Sequence, residues 1–217
     1  MPSQPINFKE IFDIKHLQTI QNEFAHSMEV ASIITHPNGV PITAPSNFSR
    51  LCMNVIRNTP KGLANCMHSD AIVGRFNKNG PVVQPCLSGG LWDAGASVSA
   101  GKIHIANWLI GQVMNEEQDV RRMMDYAYKI GADVDEFSRA LSLVKVMDKE
   151  KFIHISEALF LFSRYLSTFA ESVLENKALD ATDSRNQLTE IVEKESDLAQ
   201  LYPIWDKMQT LFNYSIH

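Results

Sequence analysis

Between Val82 and Val113 the chain carries three strand signals in close succession, and this run constrains the fold more than any other feature. Val82-Val83-Gln84-Pro85-Cys86-Leu87 is the first. After Ser88-Gly89-Gly90, the segment from Leu91 to Val98 is rich in small residues, which lets a second backbone approach closely. Ser99-Ala100-Gly101 then turns the chain into Lys102 to Val113. There Ile103, Ile105, Leu109 and Val113 fall on one face at period two, with His104, Trp108, Ile110 and Gln112 on the other. Upstream, Val30 to Thr35 and Val40 to Thr43 flank Pro37-Asn38-Gly39, which predicts a hairpin. Five strand signals with helices inserted after the first pair predict an α+β fold. Its sheet would be curved, antiparallel and five-stranded, with helices on one side.

The helical signals lie around and within that sheet. Asp13 is an N-cap candidate for a helix bearing Ile14, Leu17, Ile20 and Phe24, with Gln21 as a polar exception. Phe48, Leu51, Cys52, Val55 and Ile56 have the spacing of a helix with one buried face. After a break at Thr59-Pro60-Lys61-Gly62, a second helix is expected from Leu63 to about Arg75, carrying Cys66 and His68. Glu116-Glu117 opens a helix ending near Gly131. Asp133 and Asp148 are further N-cap candidates, and Phe152, Ile155, Leu159, Phe162, Leu166 and Phe169 form the stripe of a long helix reaching about Lys177. The polar stretch Asp180 to Arg185 then marks a boundary. The expected organisation is a domain over residues 1–177 and a helical extension or linker over 178–217.

A net charge of −5 argues against a large nucleic-acid footprint, because phosphate binding draws on clustered Lys and Arg. The first residues show no basic then apolar leader pattern, and no apolar run is long enough for a membrane helix, so a cytoplasmic location is expected. Three cysteines do not make a disulfide framework in such a chain.

The ordered elements Pro45-Ser46-Asn47-Phe48, Leu51-Cys52, Thr59-x-x-Gly62, Cys66-x-x-Ser69-Asp70, Cys86, Gly90-Leu91-Trp92-Asp93 and Trp108-Leu109-Ile110-Gly111-Gln112 closely resemble the PocR sensory domain. The resemblance covers about Leu17 to Phe169 and implies a divergent PAS-like module. Such a module would bind simple hydrocarbon derivatives such as small diols and pass a signal to an output domain. Nothing after Lys177 reads as a helix-turn-helix unit, a kinase or a cyclase, so the output is expected elsewhere.

Three chemistries fit the residues between Phe48 and Gln112. In the first, Phe48, Cys52, Cys66, Cys86, Trp92 and Asp93 line a pocket for a small alcohol or amine, with Trp92 as an aromatic wall beside a carboxylate. In the second, Cys52, Cys66, Cys86 and His68 form a soft-ligand site for zinc or an iron–sulfur cluster, although they lack a paired Cys-x-x-Cys. In the third, one thiol is a nucleophile, with His68 or His104 as base and Asp70 or Asp93 as orienter. The cysteines can equally pack as small apolar side chains, and Met123-Met124 as core filling. Gly89-Gly90 lacks the Lys-Ser/Thr of a phosphate loop. The apolar stripes of the first and the long helix predict a homodimer.

Overall fold

In the computed structural model, which describes residues 8–115 and 119–179, the sheet has four strands. They are β1 (Ala31–Thr35), β2 (Val82–Pro85), β3 (Trp92–Ala100) and β4 (Ile103–Val113), antiparallel in the order β1-β4-β3-β2. The turn between β3 and β4 is shorter than the sequence suggests: Ala100 pairs with Ile103, leaving only Gly101 and Lys102, with Gly101 at φ 59°. The small residues of β3 do allow a close approach, since a Cβ on Gly95 would lie 2.7 Å from the carbonyl oxygen of Val73.

The expected fifth strand, Val40 to Thr43, does not form. Residues 40–46 run along the free edge of β1 but meet it only through isolated bridges, Thr35 to Pro41 and Ser32 to Ser46. Pro41 has no N–H to give to a ladder, and the amides of Ile42 and Thr43 both donate to the single carbonyl of Ile34. The Thr43 hydroxyl in turn accepts from the Ile34 amide. Gln21, the polar exception on the first helix, is fully buried because it ties this segment down. Its amide donates to the carbonyls of Ser32 and Ala44 and to the Ser46 hydroxyl.

Helices cover both faces of the sheet rather than one. Adjacent residues of β4 are buried on opposite sides: Leu109 packs with Ile33 and Val73, while Trp108 meets Phe24 and Phe162. Both alternating sets are apolar, as a sheet sandwiched between helices requires. α1 (Ile14–Met28) is capped by Asp13, whose carboxylate accepts from the amides of Lys15 and His16. A long helix, α5 (residues 149–179), is capped by Asp148 and buries Phe152, Ile155 and Leu159. Its Phe162 and Phe169 remain 49% and 48% exposed.

The opposite face carries a π-helical segment, Leu51–Ile56, followed by α2 (Pro60–Val73). Thr59-Pro60 is the start of α2 and not a break. The Thr59 hydroxyl accepts from the Gly62 amide, and Pro60 occupies the first turn, where its missing N–H is harmless. α3 (Val120–Ile130) and α4 (Val134–Leu141) are capped by Asp119 and Asp133, and α3 ends at Gly131 with φ 74°. Leu51, Val55, Ile56 and Leu91 share a core with Met123, Ala127, Phe137 and Ala140, so Met123 fills core. The expected helix start at Glu116-Glu117 and nearly all of the 178–217 extension lie outside the described residues. Among those described, residues up to Glu171 form one compact unit and 172–179 belong to a second. No helix among them is long and apolar enough to cross a membrane.

Candidate functional site

The face of the sheet that meets the π-helical segment and α2 carries a cavity of about 30 Å³. Its floor is sheet, from Ile33, Asp93, Leu109 and Gly111, and its roof is helical, from Cys52, Ile56, Arg57, Cys66 and Asp70. Phe48 closes one side, and Cys86, Gly89 and Leu91 another. The widened turn shapes the roof: the amide of Arg57 donates five residues back, to the Cys52 carbonyl at 3.0 Å, and single π-turns of this kind recur at functional sites. It leaves Arg57 at the end of the segment, with its guanidinium 5.1 Å from the centroid of the Phe48 ring and 2.9 Å from the Asp70 carboxylate. Both partners of that ion pair are nearly buried, at 12% and 11% exposed. The Nε–H of Arg57 is shielded from water and has no acceptor.

A bulge in the sheet presents Asp93. Trp92 pairs with Val113 but Asp93 pairs with Gly111, so Gln112 is the extra residue, at φ 62°. The Gln112 amide donates to Asp93 Oδ1 at 3.1 Å, and its side-chain oxygen accepts from the Ser49 amide at 2.7 Å, just ahead of the π-helical segment. Gly111 leaves room for the carboxylate, since a Cβ there would sit 2.0 Å from Asp93 Oδ1. Burial, with the neighbouring charge of Asp70, pushes the Asp93 carboxyl up to about 7 against the donated Gln112 N–H. Asp93 is therefore a carboxyl poised between acid and carboxylate near neutral pH. Burial also raises Asp70, with the Arg57 guanidinium at 2.9 Å opposing this.

Burial raises all three thiols as well. Cys66 is hydrogen-bonded to the Ser88 hydroxyl at 3.3 Å, and Cys86 accepts from the Ser69 hydroxyl at 3.5 Å. Burial thus favours the protonated thiols over free, nucleophilic thiolates.

Comparison with protein families matches residues 10–171 to the family described as "Sensory domain found in PocR". The chain belongs to the PocR sensory domain family. No curated protein and no solved structure matches it.

This PocR domain brings Phe48, Cys52, Cys66, Cys86 and Asp93 onto one cavity, but not Trp92. Trp92 is the neighbour of Asp93 on β3 and lines a separate, outer cleft. Cys86 lies one residue beyond β2, in the loop rather than on the strand. His68 is exposed on α2, two residues from Cys66 and off its inward face, and His104 is hydrogen-bonded to the Ala106 carbonyl away from the cavity. Among the described residues no set of three or more His, Cys, Asp or Glu side chains is arranged to hold a metal ion. The soft-ligand reading of Cys52, Cys66, Cys86 and His68 thus finds no geometry to support it. Sequence reasoning missed Arg57 as a site residue and weighed Asp70 only as an orienter. The available signal was their placement, with Arg57 one residue past the Leu51–Ile56 run and Asp70 one helical turn after Cys66.

Proposed function

We propose that this PocR domain senses a small, neutral, oxygen-bearing molecule, a short alcohol or diol, in the cavity between the sheet and the π-helical segment. The observation that carries the reading is Arg57, which lines a small, mostly apolar cavity and whose Nε–H is buried without an acceptor. A donor fixed in that place is satisfied by a ligand oxygen and opposed by an ammonium, which disfavours the amine. When Asp93 holds its proton and Arg57 is paired with Asp70, the site is neutral, so a neutral ligand enters that form without burying net charge. Thiol catalysis and a metal- or cluster-centred sensor have less behind them: burial disfavours a free thiolate, and among the described residues no three His, Cys, Asp or Glu side chains are arranged to hold a metal.

A volume of about 30 Å³ holds roughly two waters, given the 10–15 Å³ that one requires, so a diol needs the walls to yield. Binding would favour a wider arrangement of the π-helical segment and α2 over the narrow one described, and that shift is the signal. We read the sheet as PAS-like, with residues 40–46 along β1 standing where the fifth strand would be. We place the sensor in the cytoplasm, where unpaired cysteines stay reduced, acting on an output module and not on nucleic acid or membrane.

Titration calorimetry with propane-1,2-diol and 2-aminopropan-1-ol at neutral pH checks the ligand class. Saturable binding of the diol in the millimolar range or tighter, with the amine weaker, is expected. Heat from neither, or from the amine alone, would remove the proposal.

The homodimer belongs to the same reading. Leu161, Phe162, Tyr165 and Phe169 leave an apolar surface along α5, with Leu161 64% and Tyr165 76% exposed. Phe162→Asp or Leu166→Asp is expected to halve the mass measured by light scattering, and an unchanged dimer mass in either variant would argue against this face.

A further inference from the structure

Beside the small cavity, and sharing only Cys86 and Gly89 with it, is a cleft of about 630 Å³ between the loop 86–90 and α3. This is the size of a pocket for an organic molecule of many atoms, where the inner cavity is not. Its walls are of a different character. Arg122, Tyr126 and Lys129 recur at i, i+4 and i+7 along one face of α3, with Met123 beneath them. Opposite, Trp92 supplies an indole whose Nε1–H is shielded from water and has no acceptor, while Lys149 Nζ lies 5.4 Å from its ring centroid. The loop side is held in place: the hydroxyls of Ser88 and Tyr126 share a 2.6 Å hydrogen bond, and Asn65 donates to the same Tyr126 oxygen at 3.0 Å. The one lining carboxylate, Asp119, is occupied in accepting from the Arg122 amide as the helix cap. Neither Arg122 nor Lys129 has an ion-pair partner among the described residues.

We propose that this cleft is a second binding site, separate from the diol cavity, that takes a planar organic anion. Its aromatic face would lie against Trp92 and Tyr126, and its charged group would meet Arg122 and Lys129. A cleft with an apolar floor and a few convergent donors is the arrangement that orients such a ligand.

Calorimetry on the full chain with naphthalene-2-sulfonate, and with naphthalene-2-methanol as the uncharged counterpart, tests this. The sulfonate is expected to bind at one site at least tenfold more tightly than the alcohol. Arg122→Glu/Lys129→Glu should weaken the sulfonate at least tenfold and leave the alcohol and propane-1,2-diol within about twofold. Trp92→Phe should weaken the sulfonate several-fold. The milder Arg122→Gln/Lys129→Gln replaces the charge reversal if that variant lacks a wild-type thermal melt. No binding of the sulfonate, equal affinity for the two probes, or indifference to the α3 substitutions would overturn the proposal. Because the diol is titrated in the same variants, failure of this cleft is distinguishable from failure of the inner cavity.

Discussion

Arg57→Met is expected to destabilise the folded chain by about 3–5 kcal/mol, read as a lower urea midpoint at unchanged slope. The guanidinium and the Asp70 carboxylate are 2.9 Å apart and nearly buried, so removing one leaves the other without a counter-charge in a site that burial already makes unfavourable for it. The Phe48 ring would lose the cation beside it in the same step. The double variant Arg57→Met/Asp70→Leu should recover most of the loss, because it removes both charges together. The two variants also separate stability from recognition. If the Arg57 Nε–H holds the ligand, propane-1,2-diol binding stays absent from the restored double variant. A single variant less than about 1 kcal/mol below wild type would mean the pair is open to water after all. Diol binding retained in the double variant would remove Arg57 from the site while leaving its structural role intact.

The sequence made the scaffold more legible than the site. Period-two patterning in β4 and the glycines around it gave the central hairpin, and the caps at Asp13, Asp133 and Asp148 are where propensity places them. Local pattern failed where tertiary bonds override it. Val40 to Thr43 is β-branched enough to predict a strand, but Pro41 and the doubled use of the Ile34 carbonyl prevent a ladder. The Leu51–Ile56 run has the spacing of an α-helix, and nothing in its six side chains announces the wider turn that delivers Arg57 to the cavity. The family resemblance pointed to the stretch from Phe48 to Gln112, where Cys52, Cys66, Cys86 and Asp93 line one cavity. Which chemistry they serve depends on burial and on Arg57, and neither follows from spacing. Trp92 shows the same limit: one residue along a strand reverses the face, so the neighbour of a cavity carboxyl faces elsewhere.

Asp93→Asn is expected to make the protein more stable at mildly alkaline pH while changing what its cavity can sense. The carboxyl is raised from 3.8 to about 7 in the folded state, so between those values the folded chain holds a proton that the unfolded chain has released. Folding stability therefore falls as pH rises through that window, and the whole cost remains above it. Converted at 1.36 kcal/mol per unit and discounted for the surface Asp93 retains, this is about 2–4 kcal/mol. Asparagine keeps the oxygen that accepts from the Gln112 amide but never carries the charge. Urea unfolding should then show the variant above wild type by about that amount near pH 8, and level with it only at about pH 3 and below, where the carboxyl is protonated in both states. Asp70 is raised too, but it is present in both proteins and cancels in the difference. Equal stability at both pH values would mean that Asp93 is not the buried acid described. Ligand binding supplies the functional half of the test. A neutral carboxyl donates its O–H to a ligand oxygen and a carboxylate does not, so diol affinity in the wild-type domain should fall as pH rises through about 7 and stay level in the variant. A native site that is less stable than its isostere at working pH, and that responds to pH only while its acid is present, is a carboxyl retained for recognition and not for the fold.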